Sequence, residues 1–321
     1  FLAVTGLVFA IDIAVGALEI WHIYVFTLVG GLGFTFGNPI RQSLIPQLVP
    51  PSYMMNAIAL GSAAFNVSRA IGPAVAGLLI ATVGVASNFF IQAGFYVVVV
   101  VLLMQIRNFG EQGESSKEEP ADSLWGKLAE GIRYATRERL VLLLLALTLV
   151  PSLLLIPYTA MVPVFAEEVF DVGPKGLGYL FSSGGTGALV GTLIVASLGN
   201  IQWKGWLLVV SALGWGISVT LWALTPWFLV SLAMIFLVGV TQMTYLTTNN
   251  TIIMTIVPNE FRGRVMSLWM LDFGLVPIGT VAAGFLAEWI GAPKGIAIMA
   301  AVGFVFMAVM FVFFPVLRRI R

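Results

Sequence analysis

The chain has 321 residues, of which 59% are hydrophobic and only 10% are charged, and its mean hydropathy is +1.00. A soluble domain needs far more polar surface than this, so the composition excludes a soluble globular protein. The net charge of +1 does not point to a nucleic-acid partner. Because the chain has no cysteine, disulfides and cysteine metal sites are excluded as well.

Apolar runs near twenty residues, the length needed to cross a bilayer as a helix, recur along the chain. Ten spans are predicted, at about 1–18, 21–46, 56–83, 86–106, 140–166, 176–199, 205–224, 227–256, 264–290 and 293–316. The sequence therefore predicts an all-α, polytopic membrane protein with the lipid bilayer as its surroundings.

The basic residues other than Arg69 fall almost entirely on one side of a membrane that is crossed ten times. Thirteen of them lie on that side, whereas Lys175 and Lys294 alone lie on the other. The positive-inside rule makes the basic side cytoplasmic. We therefore expect a multi-pass protein of the inner (plasma) membrane of the cell, with its linker and its C-terminus in the cytoplasm.

The most polar part of the chain is the segment 107–139, which holds thirteen charged residues. Its composition predicts a cytoplasmic linker between an N-terminal bundle of four spans at 1–106 and a C-terminal bundle of six spans at 140–321. Within the linker, SLWGKLAEGIRYATRERL predicts a short helix capped by Ser123. Two interpretations fit this helix: it lies on the inner membrane face as an amphipathic helix, or it leads, solvated, into the next span.

The two halves of the chain resemble each other. A shift of 207 positions pairs identical residues, such as Pro51 with Pro258, Gly72 with Gly279 and Gly84 with Gly291. Parallel repeats of this size are typical of transporters built from two six-span bundles. By the same shift, about 69 residues are expected to precede Phe1 in the intact protein, which is room for two more spans and a total of twelve.

Two ionisable residues, Arg69 and Asp272, lie well inside predicted spans, where a charge costs roughly 2.5–3.5 kcal/mol. Pro73 lacks the N–H that would have bonded the Arg69 carbonyl, so this level of the helix needs protein or water around it. Gly72 and Gly77 add a face that packs closely. We expect a coupling or gating role for these residues, the alternative being a buried arginine that only ties helices together.

Asp272 lies roughly 12 Å along its helix from the cytoplasmic end, at 1.5 Å per residue. A carboxyl group removed from water is easier to protonate, which suits a proton-coupled transporter. The alternative is a wetted carboxylate that helps to hold a cytoplasmic gate.

The segment TQMTYLTTNNT, residues 241–251, places uncharged polar side chains on one face of a span. Gln242, Tyr245 and Asn249 have the spacing i, i+3, i+7, and the corresponding first-half segment contains Asn38 and Arg41. These residues are interpreted as lining a wet substrate cavity, and the alternative is interhelical hydrogen bonding.

The sequence contains no pattern typical of an enzyme. The glycine-rich stretch SSGGTGALVG, residues 182–191, is not followed by the Lys-Ser/Thr of a phosphate-binding loop, and its glycines instead predict close helix packing. Paired catalytic carboxylates, a metal cluster and a nucleophile with its base are all missing. We expect no cofactor, no metal and no nucleic-acid partner.

Several segments resemble one transporter family. Two six-span halves, a charged linker and the element around Gly72 and Pro73 resemble the major facilitator superfamily. RQSLIPQLVP (41–50), NAIALGSAAFNVSRAIGP (56–73) and VPNEFRGRVMSLWML (257–271) are similar to its branch of enterobactin exporters and macrolide efflux proteins. The Gly72-Pro73 element, with Gly77, resembles the antiporter motif of the family's fifth helix. One departure is Asn200, which stands where the family has an acidic residue.

The resemblance implies a monomeric secondary transporter that exports a drug-like or siderophore-like small molecule by alternating access, driven by proton antiport. Uptake of a small solute is an alternative within transport. A membrane scaffold or sensor without transport, and an ATP-driven permease, are alternatives of other classes; the absence of nucleotide motifs weakens the last.

Overall fold

The computed structural model describes residues 1–33, 49–50, 82–105, 124–198 and 202–320, together with single positions between 53 and 80. Most of these residues are helical, and there is no β-strand among them. Six of the described helices are long and apolar enough to cross a membrane, and three further apolar helices are shorter. The chain divides into two compact units, Phe1–Glu119 and Pro120–Arg321.

The first unit contains α1 (Leu2–Ala14), α2 (Ile20–Gly33) and α3 (Val85–Met104). Helix α1 packs on α3, where Gly6 lies against Ala93. An aromatic cluster joins all three helices. In it, Phe9 stacks on Phe26 with ring centroids 4.0 Å apart and meets the edge of Phe89 at 4.9 Å.

The second unit consists of a linker helix followed by six segments of apolar helix, two of which are interrupted. Its helices are α4 (Leu124–Arg137), α5 (Arg139–Leu154), α6 (Tyr158–Val164), α7 (Gly173–Leu198), α8 (Lys204–Leu224), α9 (Phe228–Ile256), α10 (Asn259–Leu271), α11 (Val276–Ile290) and α12 (Ala292–Phe313). A π-helical turn, Phe165–Val169, extends α6, and a 3₁₀ segment, Asp272–Leu275, joins α10 to α11.

Proline causes both interruptions. Between α5 and α6, Pro157 has no N–H for the Leu153 carbonyl, and the N–H groups of Leu155 and Ile156 both bond the Pro151 carbonyl instead. Between α10 and α11, Pro277 is among the first residues of α11 and cannot supply a donor to the preceding turn. The sequence predicts each stretch as one continuous span, so the interruptions are a finding of the structure.

The two interrupted helices pack against each other at their breaks. Gly279 of α11 lies directly on the Leu153 carbonyl, and a Cβ at this position would also meet Pro157 Cγ at 2.8 Å. Only glycine allows this approach of two backbones. The close contact brings the 3₁₀ segment beside the C-terminal end of α5.

Helices α7, α8, α9 and α12 form the most closely packed part of the second unit. Gly187 and Gly191 of α7 face the Phe236 and Val240 carbonyls of α9, and Gly239 of α9 faces the Gly184 carbonyl. The predicted close packing of the glycine-rich stretch is thereby confirmed. Backbones approach because small residues line both helices, which is how helices associate without a hydrophobic driving force in lipid.

The linker helix α4 lies against α10. Glu130 pairs with Arg264 at 3.0 Å, Tyr134 stacks on Phe261 at 4.5 Å between ring centroids, and Gly131 admits the Arg264 carbonyl. The sequence predicts this helix, either on the inner membrane face or solvated before the next span. Neither interpretation includes its contact with α10. Through it, the linker helix holds the first segment of an interrupted span.

One pair of glycines supports the internal repeat. Gly84 begins α3 and its repeat partner Gly291 begins α12, and their φ angles are +97° and +87°. An L side chain would be strained in this backbone region, so both halves need glycine to start their last described helix.

Replacement of Gly187 by alanine tests the packing of α7 on α9. The added Cβ would fall on the Phe236 carbonyl, so we expect Gly187→Ala to lower the free energy of unfolding by about 1–3 kcal/mol. Thermal unfolding in detergent measures the loss. The matched control is Gly184→Ala one turn earlier, whose Cβ would meet Ile235 at an ordinary 3.6 Å. Equal stability of the two variants would contradict the packing described here.

Candidate functional site in the second unit

Tyr245 is the central polar side chain of the second unit. It is fully buried, and its hydroxyl donates a hydrogen bond of 2.7 Å to the Leu147 carbonyl of α5. Within α5 the donor for this carbonyl would be the N–H of residue 151, which is a proline and has none. The Tyr245 hydroxyl of α9 therefore satisfies a backbone group that α5 cannot satisfy itself.

Asp272 is the buried acid of the second unit, with 7% of its surface exposed. It begins the 3₁₀ segment between α10 and α11, beside the C-terminal end of α5. The Ser152 hydroxyl lies near its carboxyl group, although no hydrogen bond of standard geometry joins them. Asp272 also interacts electrostatically with Tyr245. A buried carboxyl thus faces a hydroxyl and a phenol where two interrupted helices meet.

The other two polar residues of α9 have different surroundings. Gln242 is half-buried, and its Oε1 accepts a hydrogen bond of 3.3 Å from the Tyr158 hydroxyl of α6. Asn249 is fully buried, and neither atom of its amide has a partner among the residues that the structure describes. Tyr245 and Asn249 are thus enclosed within the second unit, while Gln242 is only half-buried. Their role as cavity residues stays a prediction.

The remaining predicted site residues belong to the first half of the chain. Gly72 is exposed, and a Cβ there would meet no described residue within 4 Å. The rest lie outside the described residues: Arg69, Pro73, Gly77, Asn38 and Arg41.

Three further residues of the site are not among those predicted from the sequence: Ser152, Tyr158 and Trp215. Ser152 and Tyr158 flank the α5–α6 break, and the pair of prolines at 151 and 157 was the signal that could have located it. Trp215 of α8 lies 5.8 Å from Tyr245 between ring centroids, and the sequence offers no pattern that marks it. Among the described residues, no group of three or more His, Cys, Asp and Glu side chains could hold a metal ion.

Comparison with known proteins identifies the architecture. A family model described as a transmembrane secretion effector of the major facilitator type (MFS_3) matches residues 1–319. This chain belongs to the major facilitator superfamily. Its members are transporters and not enzymes, so the family predicted from the sequence is confirmed.

Individual relatives agree with this assignment. The chain is 23% identical to the staphyloferrin A transporter of Staphylococcus aureus over 99% of this chain and 78% of that protein. It is also 23% identical to macrolide efflux protein A of Streptococcus pyogenes, over 90% of this chain and 72% of that protein. A crystal structure of a bacterial homologue of the human lysosomal transporter Spinster shares the fold, with a TM-score of 0.64 and 14% sequence identity. The match covers 99% of this chain and 81% of that chain.

Removal of the Tyr245 hydroxyl tests its bond to α5. Tyr245→Phe leaves the Leu147 carbonyl buried without a donor, so we expect a loss of about 1–3 kcal/mol in the free energy of unfolding. Pro151→Ala restores the backbone N–H, so the same tyrosine substitution should cost less in that background. Thermal unfolding of the four proteins in this double-mutant cycle measures both. Equal costs in the two backgrounds would show that the hydroxyl has another role.

Proposed function

We propose that this protein is a secondary active exporter of a drug-like or siderophore-like small molecule, which works by alternating access and is driven by proton antiport. The observation that carries the proposal is the buried carboxyl of Asp272 at the meeting point of two interrupted helices. Membership in the transporter family and the efflux protein among its relatives support export.

A carboxyl group suits ion coupling because it can be buried in two states. As a carboxylic acid it is neutral and compatible with an apolar bundle, whereas the carboxylate costs far more to bury. Binding or release of one proton therefore changes the stability of the helix packing around Asp272. The breaks at 155–157 and 272–275 are the points where the helices can respond, since short 3₁₀ stretches within a helix often mark hinges.

The proposal includes a topology. The ten spans proposed for residues 1–321 cross the inner membrane of the cell, four before the linker at 107–139 and six after it, with the linker and the C-terminus in the cytoplasm. The side chains proposed to bind the substrate are those of Asn38, Arg41, Gln242, Tyr245 and Asn249. Tyr158 joins them through its hydrogen bond to Gln242. The working protein is a monomer.

The coupling role of Asp272 is tested by Asp272→Asn, which keeps the shape of the side chain and removes its proton exchange. We expect substrate binding to remain close to wild type while export no longer responds to the pH gradient. Substrate-induced proton movement in proteoliposomes measures this. Glu288→Gln is the control, since it neutralises an exposed carboxyl on the same span. An unchanged proton stoichiometry in Asp272→Asn would remove this residue from coupling.

Arg69 is proposed to take part in the transport cycle as a permanent cation inside the first bundle. Its planar guanidinium makes several hydrogen bonds at fixed angles, so Arg69→Lys should fail in efflux although the charge is kept. A purely structural arginine would instead tolerate Arg69→Met, because a buried ion pair often yields to a well-packed apolar side chain. Efflux is measured beside membrane expression for both variants. Normal efflux by Arg69→Met at normal expression would end the functional interpretation.

A further inference from the structure

The interior of the second unit contains buried polar atoms that no protein group satisfies. Around Tyr245 these atoms are Ser152 Oγ, Trp215 Nε1, Asp272 Oδ1 and both side-chain amide atoms of Asn249. None of them has a hydrogen-bond partner in the part of the chain that the structure describes. We refer to Ser152, Trp215, Tyr245, Asn249 and Asp272 as the Tyr245 cluster.

The members of the cluster lie around one side chain. The Trp215 ring is 5.8 Å from the Tyr245 ring, and Asp272 interacts with Tyr245 electrostatically. Ser152 lies near the Asp272 carboxyl, and Asn249 follows Tyr245 one helical turn later on α9. Four structural elements, α5, α8, α9 and the 3₁₀ segment, therefore contribute to the same polar interior.

Several other buried polar groups of the unit find their partners within the protein, although Thr248 Oγ1 and Arg262 Nε, outside the cluster, also have no partner among the described residues. Trp222 lies on α8 with Trp215 and is equally buried, and its indole N–H donates to Ser231 Oγ at 2.9 Å. The buried hydroxyls of Thr148, Ser211 and Thr244 bond carbonyls of their own helices. Most of the unpaired buried atoms that the structure describes in this unit therefore belong to the Tyr245 cluster.

The chemistry of the unpaired atoms defines what could satisfy them. The indole N–H and the amide NH₂ only donate, whereas the carboxylate oxygen and the amide oxygen accept. A bound cation would leave the donors unsatisfied, and a bound anion would be repelled by the carboxylate. Water both donates and accepts, and buried water commonly bonds protein groups that lack other partners.

We propose that ordered water molecules occupy the Tyr245 cluster and form the path by which protons reach Asp272. The path leads along the polar face of α9, from half-exposed Gln242 and its partner Tyr158 to the carboxyl group. When Asp272 takes up a proton, the adjacent water gives it and recovers one from the next water. The proton path rests on the proposed coupling role of Asp272, but the hydration of the cluster does not.

The two tryptophans of α8 provide a direct test of hydration. Ultraviolet resonance Raman spectra of the purified protein report the hydrogen bond of each indole N–H, and Trp215→Phe and Trp222→Phe difference spectra assign the signals. We expect the Trp215 N–H to be hydrogen-bonded and to exchange rapidly after transfer to D₂O. The Trp222 N–H, bonded to Ser231 in a dry surrounding, should be hydrogen-bonded and exchange slowly. A free N–H at Trp215 would overturn the proposal.

A second variant tests the cluster independently of the tryptophans. If Asn249 bonds water, Asn249→Leu removes those hydrogen bonds and should lower the melting temperature of the protein. If the amide is instead dry and unpaired, the same substitution should raise the melting temperature. In proteoliposomes this variant should slow substrate-induced proton movement by about tenfold or more. A higher melting temperature, or an unchanged proton rate, would contradict the water path.

The outcomes separate this inference from the proposed function. Loss of coupling in Asp272→Asn with a dry Trp215 would support coupling and refute the water path. A hydrated Trp215 with normal coupling in Asp272→Asn would support the water site and refute the role of Asp272.

Discussion

The second unit depends on one rule of the bilayer, that every backbone polar group must find its partner inside the protein. Within α5, Pro151 leaves the Leu147 carbonyl without a backbone donor. The Tyr245 hydroxyl of α9 donates to this carbonyl instead, at 2.7 Å. One side-chain bond thereby fixes two helices to each other. It also requires a polar side chain in the middle of the bundle, with Trp215 and Asp272 near it.

The same rule explains where the acid lies. Pro157 and Pro277 each end a stretch of regular helix, and the two breaks can be buried because they pack on each other through Gly279. Asp272 lies in one break and Ser152 next to the other. A carboxyl group is thus enclosed where the irregular backbone of two interrupted spans meets. In a family of transporters, this is the arrangement expected of a residue that responds to an ion.

The polar residues of α9 show how a shared helical face can have several surroundings. The spacing of Gln242, Tyr245 and Asn249 predicts one face, and the structure has them on one helix. Their environments nevertheless differ, because neighbouring helices cover the face unequally: α6 reaches Gln242 with Tyr158, whereas α5 and α8 enclose Tyr245. A periodic pattern gives the direction of a side chain along its own helix but not the helix that will lie opposite.

The sequence by itself determined the all-α membrane class, the transporter family, the linker helix and the presence of one buried acid in the second half. The membrane class, the linker helix and the buried acid depend on composition or on residues within a few turns, where hydropathy and helical spacing act. The family came from the resemblance of several segments to known transporters. Only the tertiary structure decided that Tyr245 bonds Leu147, 98 positions earlier, that Ser152 lies near Asp272 and that Glu130 of the linker pairs with Arg264. The physical reason is the distance along the chain over which each interaction acts. A proline in the sequence shows that the carbonyl four residues before it has no backbone donor. The group that replaces this donor comes from another helix, and only the packing of the helices decides which one.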